Sequence, residues 1–380
     1  MKKLTPFLLL GLGLRLFLMS STVHPDIRGH NLAAYLIAQK GQILDFYDYI
    51  SRLPRTNPLV ILYHDGLFIY PPLAYLTHAV FNFFLYPLYP QRPFDLLILD
   101  IGQAKGLPDF GLLTFLLKFP YLVADVFSLL ILRKILDSKY HFLGSILWIF
   151  NPLTLYSAYM LSQFDIFIAL FLLLALAYPK LSPIFIGLSA GFKPFPLFFL
   201  PFLSGSKLKN IATGLLTYLL SLLPYMRSVG FRQYALLANQ TDKIVYAKIM
   251  VSSSQYLPLF FVAVIVLFWW HYFSPKSLST WGWQLAVLLA FFSLTHFHPQ
   301  WFTWTAPFLL LALINKPATR LPILVLLVSY ALIIFSFEPS LNFGLLGLNY
   351  SLASILSDQN VSLIRAAFAA TSLVVIAKSV

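Results

Sequence analysis

Asp26 is the residue of this chain best placed by type and position for acid–base chemistry in water. It sits in His24-Pro25-Asp26, just past the first apolar run, and opens a polar segment, residues 22–67, too long to be a simple turn. Arg28, His30, Asp45, Asp48 and Asp65 share that segment, which leads into Tyr70-Pro71-Pro72-Leu73. A carboxylate at such a point could take a proton from an attacking hydroxyl, bind a divalent cation, or both. The plain alternative is a loop Asp that starts a turn after Pro25 or caps the helix that follows.

Other polar groups interrupt strongly apolar sequence, where an ionisable side chain costs on the order of 3 kcal/mol and faces a cavity or a partner. Arg15 could meet an anionic group or pack against Asp125 or Asp165. Lys118 and Asp125 lie two helical turns apart on one face and could neutralise each other. Asp165, after Ser162-Gln163-Phe164, reads first as a helix cap and second as a hydroxyl ligand. Lys193 stands in the broken Gly191-Phe192-Lys193-Pro194-Phe195-Pro196, as a phosphate partner beside freed backbone or as a snorkelling lysine. The run from Thr295 to Trp304 offers His296, His298, Gln300, Trp301 and Trp304, able to bond and stack on a sugar or to form an interfacial aromatic belt.

The elements that position these groups are apolar helices. Of 380 residues 59% are hydrophobic and 10% charged, with mean hydropathy +0.80, against roughly 25% charged in soluble domains. The expected fold is all-α, a single polytopic membrane domain of about twelve transmembrane helices with a long first outer loop. Candidate spans are 5–21, 68–88, 111–132, 142–160, 163–179, 182–203, 210–226, 257–273, 284–297, 301–315, 321–337 and 361–378, with outer segments at 22–67, 227–256 and 338–360. The start, Lys2-Lys3 and an apolar run containing Arg15, reads as a retained first helix rather than a cleaved signal.

Net charge is +13, but the cations lie in short loops, as the positive-inside bias places them, so nucleic acid is not an expected partner. Lys207, Lys209, Lys276, Lys316 and Arg320 then face the cytoplasm, whereas Arg133, Lys134, Lys139 and Lys180 fall outside. Breaking 182–203 at Lys193-Pro194 into a re-entrant pair would move them inside, at the expense of one more irregularity before residue 111. No cysteine is present, which excludes disulfides and thiolate metal sites, and no internal repeat of the kind common in transporters is visible.

In order along the chain, Arg15, Asp26, Tyr70-Pro71-Pro72-Leu73, Lys118 and Asp125, Asn151-Pro152, Gln163-Phe164-Asp165, Phe192-Lys193 and Gln300-Trp301-Phe302 with Trp304 resemble the GT-C superfamily of membrane glycosyltransferases. The likeness covers about residues 10–310 and is nearest to the first mannosyltransferase of GPI-anchor synthesis and its prokaryotic relatives. It implies a polyprenyl-phosphate-sugar donor, a glycan or lipid acceptor, and inverting transfer of a hexose, mannose first, at the outer face of a prokaryotic cell membrane. Asp26 matches the family's first-loop catalytic aspartate. Where that mannosyltransferase often has Asp-x-Asp, the second acid is here Arg28, which leaves a divalent cation (Mg or Mn) open and Asp26 to act alone as base, oriented by Arg28 or His30. Arg15, Arg28, His30, Tyr70, Asp165, Lys193, His298, Gln300 and Trp304 are the expected substrate contacts, with Arg15, Lys193 and the 227–256 cations on the lipid phosphate. The rival expectation is a multi-span transporter or lipid flippase, in which Lys118, Asp125 and Asp165 would matter more than Asp26.

Overall fold

A computed structural model describes residues 3–64, 66–237, 239–274, 279–348 and 357–380, so Lys2, Asp65 and Lys276 lie outside the described residues. The chain is all-α apart from one short hairpin, in which Lys248–Met250 pairs antiparallel with Tyr256–Pro258. Among the described residues three helices are long and apolar enough to cross a membrane, Phe110–Ile135, Pro317–Phe335 and Asp358–Ser379. The bent pair Asp165–Ala177 and Pro179–Ala190 makes a fourth if it is one span, and shorter apolar helices accompany them.

The path up to the longest helix departs from expectation. Helix α1 (Thr5–Ser21) delivers the chain to the Asp26 loop, followed by α2 (Ile27–Lys40) and the short α3 (Pro58–Tyr63), capped by the Asn57 side chain. Pro71 and Pro72 then open α4 (Pro72–Leu85), as a donor-less residue with fixed φ suits a first turn. Helices α5 (Gln91–Leu99) and α6 (Ile101–Lys105) lead to α7 (Phe110–Ile135).

Helix α7 runs antiparallel to α1. Thr114 Oγ1 donates to the Ser20 carbonyl at 3.4 Å, and further down Asp125 meets Arg15. Residues 22–109 therefore leave and return at one end of the bundle. Helix α4 does not traverse it. His78 lies against Tyr121 and Phe81 against Phe119, so α4 climbs back toward the start of α7, and it runs parallel to α2, with Gln39 bonded to Asn82. Tyr89 and Phe94 close the excursion in one apolar cluster with Val23, Ile27 and Phe110. The expected span 68–88 is thus part of the cap.

From α7 the chain runs back and forth between two ends. Helices α8 (His141–Ile149) and α9 (Pro152–Thr154) and a π-helical turn (Leu155–Met160) return it, with Asn151 capping the break by accepting from Leu153 and Thr154. Helices α10 (Asp165–Ala177) and α11 (Ser182–Ala190) form an antiparallel pair, joined at their open end by Lys193 and Asp165. A 3-10 segment, Phe195–Phe202, then descends, so residues 182–203 form a re-entrant pair broken at Lys193. Helix α12 (Lys207–Leu222) rises, and Gly230 donates to Asp48 in the first loop at 2.7 Å. Helices α13 (Leu259–Phe273), α14 (Thr280–Leu294), α15 (Ala306–Asn315), α16 (Arg320–Phe335) and α17 (Asp358–Ser379) complete the bundle. A 3-10 turn, Pro299–Thr305, links α14 to α15 at the Asp26 end.

Arg133 and Lys134 end α7 at the far end, Lys180 sits at the α10–α11 bend, and Lys207 and Lys209 begin α12. With α4 in the cap and residues 182–203 doubling back, these cations share the end of the bundle away from Asp26.

Candidate functional site

Asp26 lies in a polar cavity of about 440 Å³ with Arg28, His30, Tyr63, Tyr70, His298 and Gln300 on its walls. The carboxylate is part exposed and bonded from far along the chain by Gln163, whose Nε2 donates to Oδ2 at 2.8 Å. The near neighbour His24 accepts from the Asp26 amide at 3.3 Å through Nδ1, which stands 3.5 Å from Oδ1 without donating to it. These partners replace the expected Arg28 and His30: Arg28 instead donates to the Pro25 carbonyl and lies over the Tyr63 ring. Gln163 is aimed by Ser162, which adopts a left-handed φ of 59° although it is not glycine. Such a conformation costs on the order of 1–3 kcal/mol and is held by its surroundings, here Tyr121 donating to the Ser162 carbonyl.

The polar cavity is lined by buried groups without partners. On its walls both ring nitrogens of His30 and Oε1 of Gln300 lack a partner of good hydrogen-bond geometry, and behind them so do Oε1 of Gln163, which lies close to His30, Nε1 of Trp301 and Nε2 of His24. Buried polar atoms are nearly always paired, so a cluster of unpaired ones beside a cavity is a set of bonds left for a ligand. Burial, with His78 and Lys193 nearby, holds His30 well below the usual imidazole range. His298 is pushed down to about 3 by burial and by Lys243, whose Nζ donates to His298 Nε2.

Across Ile69 and Tyr70 lies a second cavity of about 440 Å³, almost wholly apolar, walled by Pro194, Leu197, Phe198, Ala235, Phe291, Trp301 and Trp304. Tyr70 is the shared wall and is rigidly held: Tyr47 donates to its carbonyl at 2.6 Å and its amide donates to Tyr75 at 3.1 Å. The corner behind it is tied down because Leu73 donates to the Gly191 carbonyl, and a Cβ on Gly191 would meet the Leu73 side chain at 2.5 Å.

Two cations face this apolar groove. Lys193 is fully committed: it pairs with Asp165 at 2.6 Å inside a ring of Tyr70, Phe164, Trp301 and Trp304. Lys243 lies over Trp301 beside His298 and has no carboxylate partner among the described residues. Burial lowers its ammonium, and Lys193 adds to that.

Compared with known proteins, the chain matches no family model, no curated protein and no solved structure.

The expected site residues therefore divide. Asp26, Arg28, His30, Tyr70, His298 and Gln300 gather at the polar cavity, and Lys193 and Trp304 line the groove. Trp304 is turned away from the polar cavity, its Nε1 donating to Asp165 at 2.6 Å. Asp165 lines neither cavity and acts as the counter-ion of Lys193 rather than as a cap or hydroxyl ligand. Arg15 is elsewhere: it pairs with Asp125 at 2.6 Å and donates to the Ile149 carbonyl, so Asp125 is not the partner of Lys118. Gln163, His24 and Lys243 belong to the site and were visible in the sequence only as members of longer polar runs. For a divalent cation the donor set does not fit, since no group of three or more His, Asp or Glu is found among the described residues and Arg28 stands where a second acid would help.

Proposed function

We propose that the chain is a GT-C-like membrane glycosyltransferase that moves a hexose, mannose first, from a polyprenyl-phosphate donor to an acceptor hydroxyl. The observation that carries this reading is the adjacency of an Asp-bearing polar cavity and an apolar groove with an uncommitted cation, separated only by Ile69 and Tyr70. A donor that is half sugar and half lipid requires that pairing. The sugar meets the unpaired atoms of His30, Gln163 and Gln300, the tail lies along Phe198 and Ala235, and the phosphate falls between them near Lys243.

Asp26 takes the proton of the acceptor hydroxyl, whose oxygen attacks the anomeric carbon. The bond from that carbon to the phosphate oxygen breaks, and the electron pair leaves with the lipid phosphate, inverting the centre. The charge growing on the phosphate is met by Lys243, with His298 as its neutral hydrogen-bond acceptor before the donor arrives.

The same reading assigns twelve membrane passes, with residues 22–109 wholly outside, the segments 182–190 and 195–202 as separate passes, and the cations at the ends of α7, α10 and α12 in the cytoplasm of a prokaryotic cell. The transporter alternative is weakened because Lys118 and Asp165 line neither large cavity and Asp125 is saturated by Arg15, Trp148 and Tyr159. Incubating the purified protein with short-chain polyprenyl-phosphate-mannose and an alcohol acceptor tests the proposal. Lipid phosphate released together with a new glycoside supports it; movement of the donor across vesicles with no covalent product would refute it.

A further inference from the structure

The hydrogen bond between Asp26 and Gln163 joins segments 137 residues apart, and neither residue lies within a regular helix. Something must fix the distance between them. We infer that Lys118 is a positioning residue for this pair, acting as a clamp that fastens both segments at the same remove from their functional side chains; its kinetic consequence rests on the transferase reading above.

Lys118 is fully buried in α7. Its Nζ donates to the Leu18 carbonyl at 3.1 Å, to the Thr22 carbonyl, and to the Tyr159 carbonyl at 2.8 Å. Thr22 precedes Asp26 by four residues and Tyr159 precedes Gln163 by four. Thr22 Oγ1 reinforces the joint by donating to the same Tyr159 carbonyl at 3.0 Å. Three carbonyl oxygens converge on one nitrogen, which suits an ammonium with three N–H donors; a neutral amine would turn a lone pair toward a carbonyl. The group has no carboxylate within ion-pair distance among the described residues. Its charge is balanced by the carbonyls ending α1, where the helix dipole favours a cation.

A merely structural filler here would be apolar. What the ammonium adds is direction: a rigid three-way joint from which each strand continues for four residues to the Asp26–Gln163 bond. Gln163 occupies Oδ2 of Asp26 and leaves Oδ1 for the incoming hydroxyl, so slack in the joint misplaces the base without removing it.

The test uses Lys118→Met in the full chain. Turnover should fall by about 10²-fold, the effect of roughly 1 Å of misplacement, with the donor KM unchanged because the groove and Lys243 are untouched. Since the chain contains no cysteine, Asp26→Cys with Gln163→Cys supplies a readout independent of activity. A short bifunctional thiol reagent should bridge the two readily when Lys118 is present and lose most of the bridged product in the Lys118→Met background. Equal bridging in both overturns the inference, whatever the activity. If Lys118→Met does not purify as a dispersed protein, Lys118→Gln, which offers two N–H donors to three carbonyls, takes its place and should move both readouts the same way to a smaller degree; bridging equal to that with Lys118 also overturns the inference. Absence of transfer by the unmutated chain would sink the enzymatic reading and leave the bridging result to decide the clamp.

Discussion

Gln163 holds Oδ2 of Asp26 and leaves Oδ1 open, which is how a base with one free lone-pair face is oriented. Asp26→Asn keeps the shape and can still bond Gln163 but cannot take a proton. Release of lipid phosphate should drop by about 10²–10⁴-fold with expression and thermal unfolding unchanged; near-normal turnover would remove the base assignment. The histidines make a second prediction. His24, His30 and His298 are all held neutral by burial, with folded pKa values below the unfolded value of 6.5. The unfolded chain then binds protons first as pH falls, so stability is fully present above about pH 6.5 and is lost progressively toward about pH 3. Melting temperature should decline from about pH 7.5 to about pH 5, and His298→Gln should flatten the decline. A melting temperature that holds or rises on acidification contradicts the assignment. Asp26, His30, His298 and Gln300 could be picked out in the sequence because a polar side chain at the edge of an apolar run is conspicuous by type. That Gln163 reaches Asp26 emerges only through folding. For Arg15 the sequence offered an anionic group or a carboxylate, Asp125 or Asp165, and it pairs with Asp125; Lys193, read as a phosphate partner or a snorkelling lysine, has the buried Asp165 instead.

Among the elements, α4 shows how hydropathy and topology part company. Its stretch is apolar enough to suggest a span, yet its apolar residues divide between packing on α2 and α7 and an exposed face of Val80, Phe83 and Phe84. An apolar helix lying at a membrane surface and one crossing it have similar composition, and only the misplaced charges of Arg133, Lys134, Lys139 and Lys180 signalled the difference. In the fold, α4 packed into the cap and the doubling back at Lys193 put Arg133, Lys134 and Lys180 at one end of the bundle. Single cysteines in the cysteine-free chain check it. Arg55→Cys and Arg92→Cys, both exposed, should react with a membrane-impermeant thiol reagent from the same face, and Lys139→Cys only from the other. Labelling of Arg55→Cys and Lys139→Cys from one face, with Arg92→Cys labelled only from the other, would restore α4 as a crossing. The helix caps expected at Asp26 and Asp165 do not form, while Asn57 and Asn151 cap the helices that directly follow them and Pro72 opens α4.

At the scale of the whole molecule, first-loop residues, the Lys193 break and the 227–256 loop converge to build two cavities that meet at Tyr70. The groove cannot bind a lipid tail by the ordinary hydrophobic effect, because a tail leaving the bilayer for an apolar groove exchanges one oily surface for another. On the proposed reading its contribution is shape, and affinity would come from the phosphate at Lys243 and the sugar at the polar cavity. Two substitutions separate these parts. Lys243→Met removes the cation without a carboxylate partner and should raise the donor KM for every tail length, by about tenfold if it forfeits one charge-assisted contact of roughly 1.5 kcal/mol. Ala235→Trp fills the groove wall far from Asp26 and should raise KM only for donors long enough to pass residue 235, leaving turnover of a truncated donor intact. The decisive comparison is the ratio of long-tail to short-tail KM, which Lys243→Met leaves constant and Ala235→Trp increases. If Ala235→Trp raises both equally, or lowers turnover of the short donor, the tail lies elsewhere and the groove is not the lipid half of the site.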